Sequence, residues 1–246
     1  MGQTVCAGKD HLIHGSPFVR LARVDTQRLF ILFLLTFLQD HLRYMDEIQC
    51  AAARVVAAVR KIAREHAVDG SNPTGRYDSF HIRRGDFQYK EMHISADEIY
   101  HNNTKAVLKE GTTVFVATDE RKKEFFDPLR QHYKLVFLDD FMDQITDINP
   151  NYYGMLDQLV ASRGDTFFGA YLSTFTGYIN RVRGYHAQKN KGTGYEHGII
   201  NSFYYTPEAH RRIRRIMRKY VSIRQGFWQQ EFPVCWRDID HDVELR

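Results

Sequence analysis

The apolar residues of this chain follow two patterns, a spacing of three or four residues that is typical of helices and short runs that are typical of strands. From Ile48 to Ile62, apolar side chains recur every three or four residues, and arginines and a lysine lie between them. This spacing predicts an amphipathic helix that buries one face. After it, the stretch "DGSNPTG", residues 69–75, interrupts the pattern with glycine, asparagine and proline and predicts a linker.

Short apolar runs and helical patterns alternate after this linker. The runs "YDSFHI", "TTVFVATD", "KLVFLDD" and "DTFFGA" predict strands. Helices are predicted from Ser95 to Leu108, with Ser95 as N-cap, from Glu120 to His132, from Tyr153 to Ser162, and from Thr176 to Val182. This alternation indicates an α/β fold with a parallel sheet.

The carboxyl ends of the predicted strands are the places to look for a binding site, because ligands of open parallel sheets bind there. The segments that follow the four predicted strands are 81–86, 118–120, 139–140 and 173–176. Each of them contains charged or hydroxyl side chains.

The stretch "SFHIRRGDFQ", residues 79–88, ends a predicted strand in two adjacent arginines. Because side chains alternate along a strand, Arg83 and Arg84 start on opposite faces, and only one of them is expected to enter a given cleft. An arginine fork matches phosphate oxygens, stays charged, and could stabilise a departing phosphate without a metal. The alternative is a solvated turn with an ion pair to Asp86.

The stretch "STFTG", residues 173–177, precedes a predicted helix. Its hydroxyls and the first backbone N–H groups of the helix make an anion site, which the helix dipole reinforces. The alternative is an ordinary N-cap. Asp157 and Asp165 precede this stretch, eight residues apart, and each could accept hydrogen bonds from a base or ribose, or cap a helix and a turn.

Composition and charge add little about partners. The 246 residues carry a net charge of +4, which suits an anionic ligand but does not indicate nucleic acid. The basic segment 211–219 has a clean apolar stripe that favours a packed surface helix. The three cysteines neither require nor exclude one disulfide. Neither they nor the twelve histidines show a metal-binding spacing, so no metal site is expected.

The amino-terminal region predicts neither a signal peptide nor a membrane span. Residues 1–20 lack an apolar core segment. The most apolar run, residues 29–38, is about half as long as a membrane-spanning helix and predicts a buried helix. Asn102, Asn103 and Thr104 form a glycosylation sequon, which matters only in a secretory compartment.

Three segments in order resemble the motifs of the GDP-fucose protein O-fucosyltransferase family: "HIRRGDF", "VFVATDE" and "DQLVASRGDTFFGAYLSTFTGYINRVRG". The resemblance covers about Leu42 to Asp240 and is strongest from Tyr77 to Tyr185. It implies a GT-B-type glycosyltransferase fold with two Rossmann-like domains. Residues 1–75 would be a truncated remnant of the amino-terminal domain with a linker helix, and residues 76–246 the carboxy-terminal, GDP-fucose-binding domain.

The resemblance also implies an activity and a site. Fucose would pass from GDP-fucose to a Ser or Thr hydroxyl of a protein acceptor, with inversion and no essential metal or other cofactor, in the lumen of the endoplasmic reticulum or Golgi. Arg83 would be catalytic, binding the pyrophosphate and stabilising the leaving GDP, and Asp157 would bind the guanine. The implied substrate-binding residues are His81, Ile82, Arg83, Asp157, Ser173, Thr174 and Phe175, with Asp119 and Asp165 as structural supports.

One departure from the family pattern leaves alternatives open. No Gly- and Asn-containing first loop is recognisable before Leu42. The chain could therefore be a catalytically incomplete module that binds a GDP-sugar or a protein partner. A transferase for another sugar nucleotide and a nucleic-acid binder are further alternatives.

Overall fold

A computed structural model describes residues 44–85, 89–190 and 201–207. Within these ranges, five parallel strands form one sheet in the order β3-β2-β1-β4-β5. The strands are β1 (Asp78–Ile82), β2 (Thr113–Thr118), β3 (Lys134–Phe137), β4 (Thr166–Ala170) and β5 (Asn201–Tyr205). The α-helices are α1 (Asp46–His66), α2 (Ala96–Ile99), α3 (Asp127–Arg130), α4 (Tyr153–Ser162) and α5 (Thr174–Asn190).

The parallel sheet confirms the predicted α/β class and is consistent with a Rossmann-like domain. The β1, β2 and β4 strands lie within the runs predicted from the sequence, and α4 has the predicted bounds. Ser95 caps α2 as expected, because its Oγ accepts a hydrogen bond from the backbone N–H of Glu98 at 3.1 Å.

Helix α1 packs its predicted apolar face against the sheet. Ile48, Val55, Val56 and Val59 are buried, and acidic residues in the first turn and basic ones in the last complement the helix dipole. These side chains share one hydrophobic cluster with Phe115 of β2 and with others of the sheet and α4. Residues 46–66 and the sheet therefore have a common core, and the assignment of residues 1–75 to a preceding domain stays a prediction.

Helices cover both faces of the sheet. The α1 and α4 helices and the start of α5 contribute to the cluster on one face, where Ile179 and Val182 of α5 are buried. The other face packs against α2, α3 and their flanking turns, and its buried members include Phe80, Ile82 and Tyr205. Strands covered on both sides are buried at every position, and β1 is so buried although its Asp78, Ser79 and His81 are polar.

Several elements differ from the sequence prediction. The helix predicted from Glu120 to His132 is a 3₁₀ segment, Lys123–Phe126, followed by the single turn of α3. The last part of "KLVFLDD" is not a strand, because the carboxylate of Asp140 accepts from the backbone N–H of Phe137 at 2.8 Å and starts a 3₁₀ segment instead. Helix α2 continues as a π-helical turn, Tyr100–Thr104, and β5 was not predicted.

Some predictions lie outside the described residues. These are the buried helix at 29–38, the basic helix at 211–219 and the ion pair of an arginine with Asp86. Within the described ranges, no helix has both the length and the apolar composition needed to cross a bilayer.

Candidate functional site

A cleft of about 710 Å³ opens at the carboxyl ends of the strands. It lies where β1 and β4 are neighbours, the point at which the strand order reverses and where open α/β sheets bind ligands. Its volume falls within the range of small-molecule sites. The residues that line it are His81, Arg83, Thr118, Asp119, Gly154, Asp157, Leu172, Ser173, Thr174 and Phe175.

The two adjacent arginines diverge, as strand alternation predicts. Arg83 lines the cleft, and its Nη1 lies 2.7 Å from Oδ2 of Asp119. Arg84 turns the other way, where its Nε pairs with Glu120 at 3.1 Å and its guanidinium lies over the ring of Phe125. Arg83 is therefore the arginine that can meet a ligand, whereas Arg84 supports the fold.

Asp119 organises the turn after β1. Its Oδ1 accepts from the backbone N–H of Arg84 at 2.7 Å, and its Oδ2 accepts from the backbone N–H of Gly85 at 2.8 Å. A Cβ at position 85 would lie 2.5 Å from the same oxygen, so a larger residue there would displace the carboxylate of Asp119. One carboxylate at the end of β2 thus holds both the turn and the side chain of Arg83 in place.

His81 forms the buried floor of the cleft. Its ring stacks on Phe175, with centroids 4.5 Å apart, and its Nδ1 lies 2.7 Å from Oγ1 of Thr176. Burial lowers the pKa of His81 to about 3; the nearby carboxylate of Asp119 acts against this shift and the charge of Arg83 adds to it. His81 is therefore a neutral hydrogen-bonding and stacking group at physiological pH.

The start of α5 supplies the opposite wall. Ser173, Thr174 and Phe175 all line the cleft, at the helix end where the first N–H groups of a helix lack intrahelical partners. Leu172, just before them, adopts a φ of 66°, the left-handed region that favours glycine, so the turn into the helix holds a strained residue. The helix can come this close to β4 because a Cβ on Gly169 would overlap the side chain of Thr176.

Asp157 lines the cleft from α4. Its Oδ1 is buried and has no hydrogen-bond partner among the described residues. Burial raises the pKa of Asp157 well above its usual range, the nearby carboxylate of Asp139 raises it further, and Lys123 opposes the shift. A buried acceptor without a partner is costly and is typical of a site that awaits a hydrogen-bond donor.

The remaining predicted residues lie elsewhere. Ile82 does not line the cleft, because its side chain is buried in the hydrophobic cluster on the far face of the sheet. Asp165 lies just before β4, where its carboxylate pairs with Arg76 and its N–H bonds the carbonyl of Tyr77 at 2.7 Å. The described residues bring no three His, Cys, Asp or Glu side chains together as a metal site.

Sequence reasoning missed two residues that build this region. Arg183, on α5, is fully buried, and its guanidinium bonds Ser202 of β5 and the carbonyls of Ser162, Gly164, Asp165 and Asn201. Tyr205, the last residue of β5, accepts a hydrogen bond from the backbone N–H of Arg83 at 3.1 Å. The three consecutive aromatic residues in "NSFYY", which are common in strands, were the available signal for β5.

Comparison with known families adds one finding. The profile of the family described as GDP-fucose protein O-fucosyltransferase matches residues 23–186, about two thirds of the chain. A search among curated proteins found no match.

Proposed function

Because the chain belongs to the GDP-fucose protein O-fucosyltransferase family, we propose that it transfers fucose from GDP-fucose to a Ser or Thr hydroxyl of a protein, with inversion. The observation that carries this proposal is that Arg83 and the first residues of α5 line the same cleft. A guanidinium and a helix amino terminus both favour a bound pyrophosphate.

The proposed reaction is a displacement at the anomeric carbon of fucose. The acceptor oxygen forms a bond to this carbon, and the bond between the carbon and the β-phosphate oxygen breaks. The electron pair stays on that oxygen, so negative charge grows on the leaving GDP, and the acceptor hydroxyl gives its proton to a base. Arg83, held by Asp119, stabilises the growing charge where it appears.

The guanine is proposed to bind Asp157. Guanine presents two neighbouring donors, its ring N–H and its exocyclic amino group, and a carboxylate can accept from both. Asp157 has a buried oxygen without a partner among the described residues and lines the same cleft as Arg83. Uracil lacks this pair of donors, so the same residue would favour GDP-sugars over UDP-sugars.

The surroundings of the site fit two further proposals. Arg83 supplies positive charge at the pyrophosphate, and we propose that transfer needs no bound metal or other cofactor. We also propose that the protein works in the lumen of the secretory pathway. Cys50 of α1 is disulfide-bonded, and disulfides persist in oxidising compartments.

Calorimetry and a transfer assay together test this function. The protein is titrated with GDP, UDP and GDP-fucose, and GDP release from GDP-fucose is then followed with and without Ser- or Thr-containing protein acceptors. We expect binding of GDP and GDP-fucose, weaker binding of UDP, and acceptor-dependent release of GDP with fucose attached to the acceptor. Binding without turnover would identify the alternative, a catalytically incomplete GDP-sugar-binding module, and absence of GDP binding would overturn both.

A further inference from the structure

Three consecutive backbone N–H groups follow β1, and two side chains at the ends of β2 and β5 accept hydrogen bonds from all three. The N–H groups of Arg84 and Gly85 donate to Asp119, which follows β2. The N–H of Arg83 donates at 3.1 Å to the hydroxyl of Tyr205, which belongs to β5 on the other side of β1 in the strand order. The backbone that carries the cleft arginine is therefore held from both sides.

Tyr205 reaches Arg83 across an intervening strand. It is paired with Ala170 of β4, and β4 in turn pairs with β1. Two strand spacings separate β5 from β1, about 10 Å, a span that a long side chain is needed to cross. Ala170 and Tyr205 belong to the same buried cluster, and the small side chain of Ala170 leaves room for the tyrosine ring on this face of the sheet.

We propose that Tyr205 is a positioning residue of the donor site, which fixes the amide of Arg83 so that its guanidinium meets the pyrophosphate. This inference rests on the function proposed above. It extends the site to β5, beyond the segment 23–186 that matches the family. Tyr205 itself is 1% exposed and does not line the cleft, so it acts through Arg83.

The hydroxyl of Tyr205 keeps its proton at every working pH. Burial raises its pKa far above the ordinary value, the carboxylate of Asp119 adds to this shift, and the amide of Arg83 and the charge of Arg84 oppose it. The hydrogen bond to Arg83 is therefore between neutral groups and independent of pH in the working range. A variant that lacks it should change affinity and rate without changing the shape of the pH profile.

The test compares two ligands on the Tyr205→Phe protein. This variant keeps the ring and removes the hydroxyl, so we expect GDP to bind more weakly, by at most about 10-fold, because the coupling to the ligand cannot exceed the value of one neutral hydrogen bond. The affinity for guanosine, which has no phosphate, should not change, because Asp157 lies on α4. A general loosening of the fold would weaken both ligands, and equal losses would overturn the inference.

Tyr133→Phe is the matched control. Tyr133 is also a buried tyrosine of the same cluster, but its hydroxyl donates to Thr104 at 3.1 Å, away from the cleft. We expect this variant to lose a similar amount of thermal stability and to keep the ratio of GDP to guanosine affinity. A second comparison uses the Arg83→Ala background, where Tyr205→Phe should have no further effect on GDP affinity.

Hydrogen exchange gives an independent measurement on the unaltered protein. The amide of Arg83 lies beyond the last residue of β1, yet it should exchange as slowly as amides inside the strand. Exchange at the rate of an open loop would overturn the inference, even if Tyr205→Phe fails to fold. If the unaltered protein binds neither GDP nor guanosine, the proposed function fails and the inference fails with it.

Discussion

The imidazole of His81 and the ring of Phe175 stack with centroids 4.5 Å apart and an angle of 27° between their planes. The contact joins the end of β1 to the first turn of α5, and the hydrogen bond between His81 and Thr176 joins the same two elements again. These two contacts of His81 thus connect β1 and α5, which form opposite walls of the cleft, at the floor of the cleft.

His81 should remain neutral in the folded protein down to acidic pH. The pKa of about 3 lies below the ordinary 6.5, so between these values the unfolded chain binds more protons than the folded one. The stability of the fold should therefore fall as the pH drops from about 6.5 towards 3. We expect the ring signals of His81 in NMR spectra to stay constant from pH 8 to about 4, and a midpoint near 6.5 would contradict the structure.

The non-titrating variant His81→Gln is the control for this pH dependence. Urea unfolding at several pH values should give a smaller loss of stability on acidification for this variant than for the unaltered protein. The same loss in both proteins would assign the pH dependence to other groups.

Arg83→Ala should mainly lower the rate of transfer, whereas Arg84→Ala should mainly lower the stability of the fold. Removing Arg83 takes away the charge proposed to meet the leaving GDP, and we expect kcat/KM to fall at least about 100-fold with little change in Tm. Removing Arg84 breaks contacts with Glu120, the carbonyl of Ile94 and the ring of Phe125. This variant should lose about 1–2 kcal/mol of stability and keep most of its activity per folded molecule.

Kinetics on both variants, with circular dichroism melts of the same samples, check this prediction. If kcat/KM fell equally in the two variants, Arg83 would have no greater part in catalysis than Arg84. Activity retained by Arg83→Ala would remove it from catalysis altogether.

Asp157→Asn should stabilise the protein and weaken donor binding. Because the pKa of Asp157 is raised by burial, the folded protein binds more protons than the unfolded chain between the ordinary and the raised value. In that window the carboxylate lowers stability as the pH rises, and asparagine removes this effect. An asparagine NH₂ group facing the guanine donors should weaken GDP-fucose binding by about 10- to 100-fold.

The raised pKa of Asp157 also predicts how the affinity for GDP-fucose depends on pH. Guanine donors require the ionised carboxylate, so the affinity for GDP-fucose should rise with pH through the raised pKa of Asp157 and then level off. GDP-fucose is the suitable ligand, because its pyrophosphate is esterified at both ends and has no proton to lose in this range. Calorimetry across the pH range should show the rise in the unaltered protein and a flat profile in Asp157→Asn.

Two glycines near the start of α5 should respond oppositely to alanine. A methyl group on Gly169 would overlap Thr176, so Gly169→Ala should push the helix away from the sheet and cost about 1–3 kcal/mol, with weaker GDP binding. A methyl group on Gly177 meets nothing within 4 Å. Gly177→Ala should stabilise the helix by about 0.5–1 kcal/mol.

Thermal unfolding and GDP titration of both variants make this comparison. A stable Gly169→Ala protein with unchanged GDP affinity would show that the close approach of α5 to β4 does not matter for the site.

Local patterns in the sequence predicted the strands that carry the cleft. The runs of β2 and β4 are mostly apolar, because both faces of these strands are buried, and the polar residues after them stand out for that reason. The divergence of Arg83 and Arg84 also followed from strand alternation alone. These features depend on neighbours in the chain, which a single sequence displays.

Features that depend on distant partners could not be predicted. Arg183 looks like a solvent-facing arginine of a basic helix, because nothing nearby shows the five oxygens that receive its guanidinium. Tyr205 ends the short aromatic run of "NSFYY", but its role depends on the position of β1 in the sheet. The helix predicted from Glu120 to His132 was too long because its apolar residues suit a 3₁₀ segment and a single helical turn equally well.

The strand order has a consequence for how this protein is made. The β1 strand is synthesised first, but its second neighbour, β4, leaves the ribosome more than eighty residues later, and β5 later still. Until then a growing chain holds an incomplete sheet, in which the edge of β1 has unpaired backbone N–H and C=O groups, the condition under which nascent proteins associate wrongly. Because the cleft takes residues from both β1 and the start of α5, it cannot form on a nascent chain until residues as far as Phe175 have emerged.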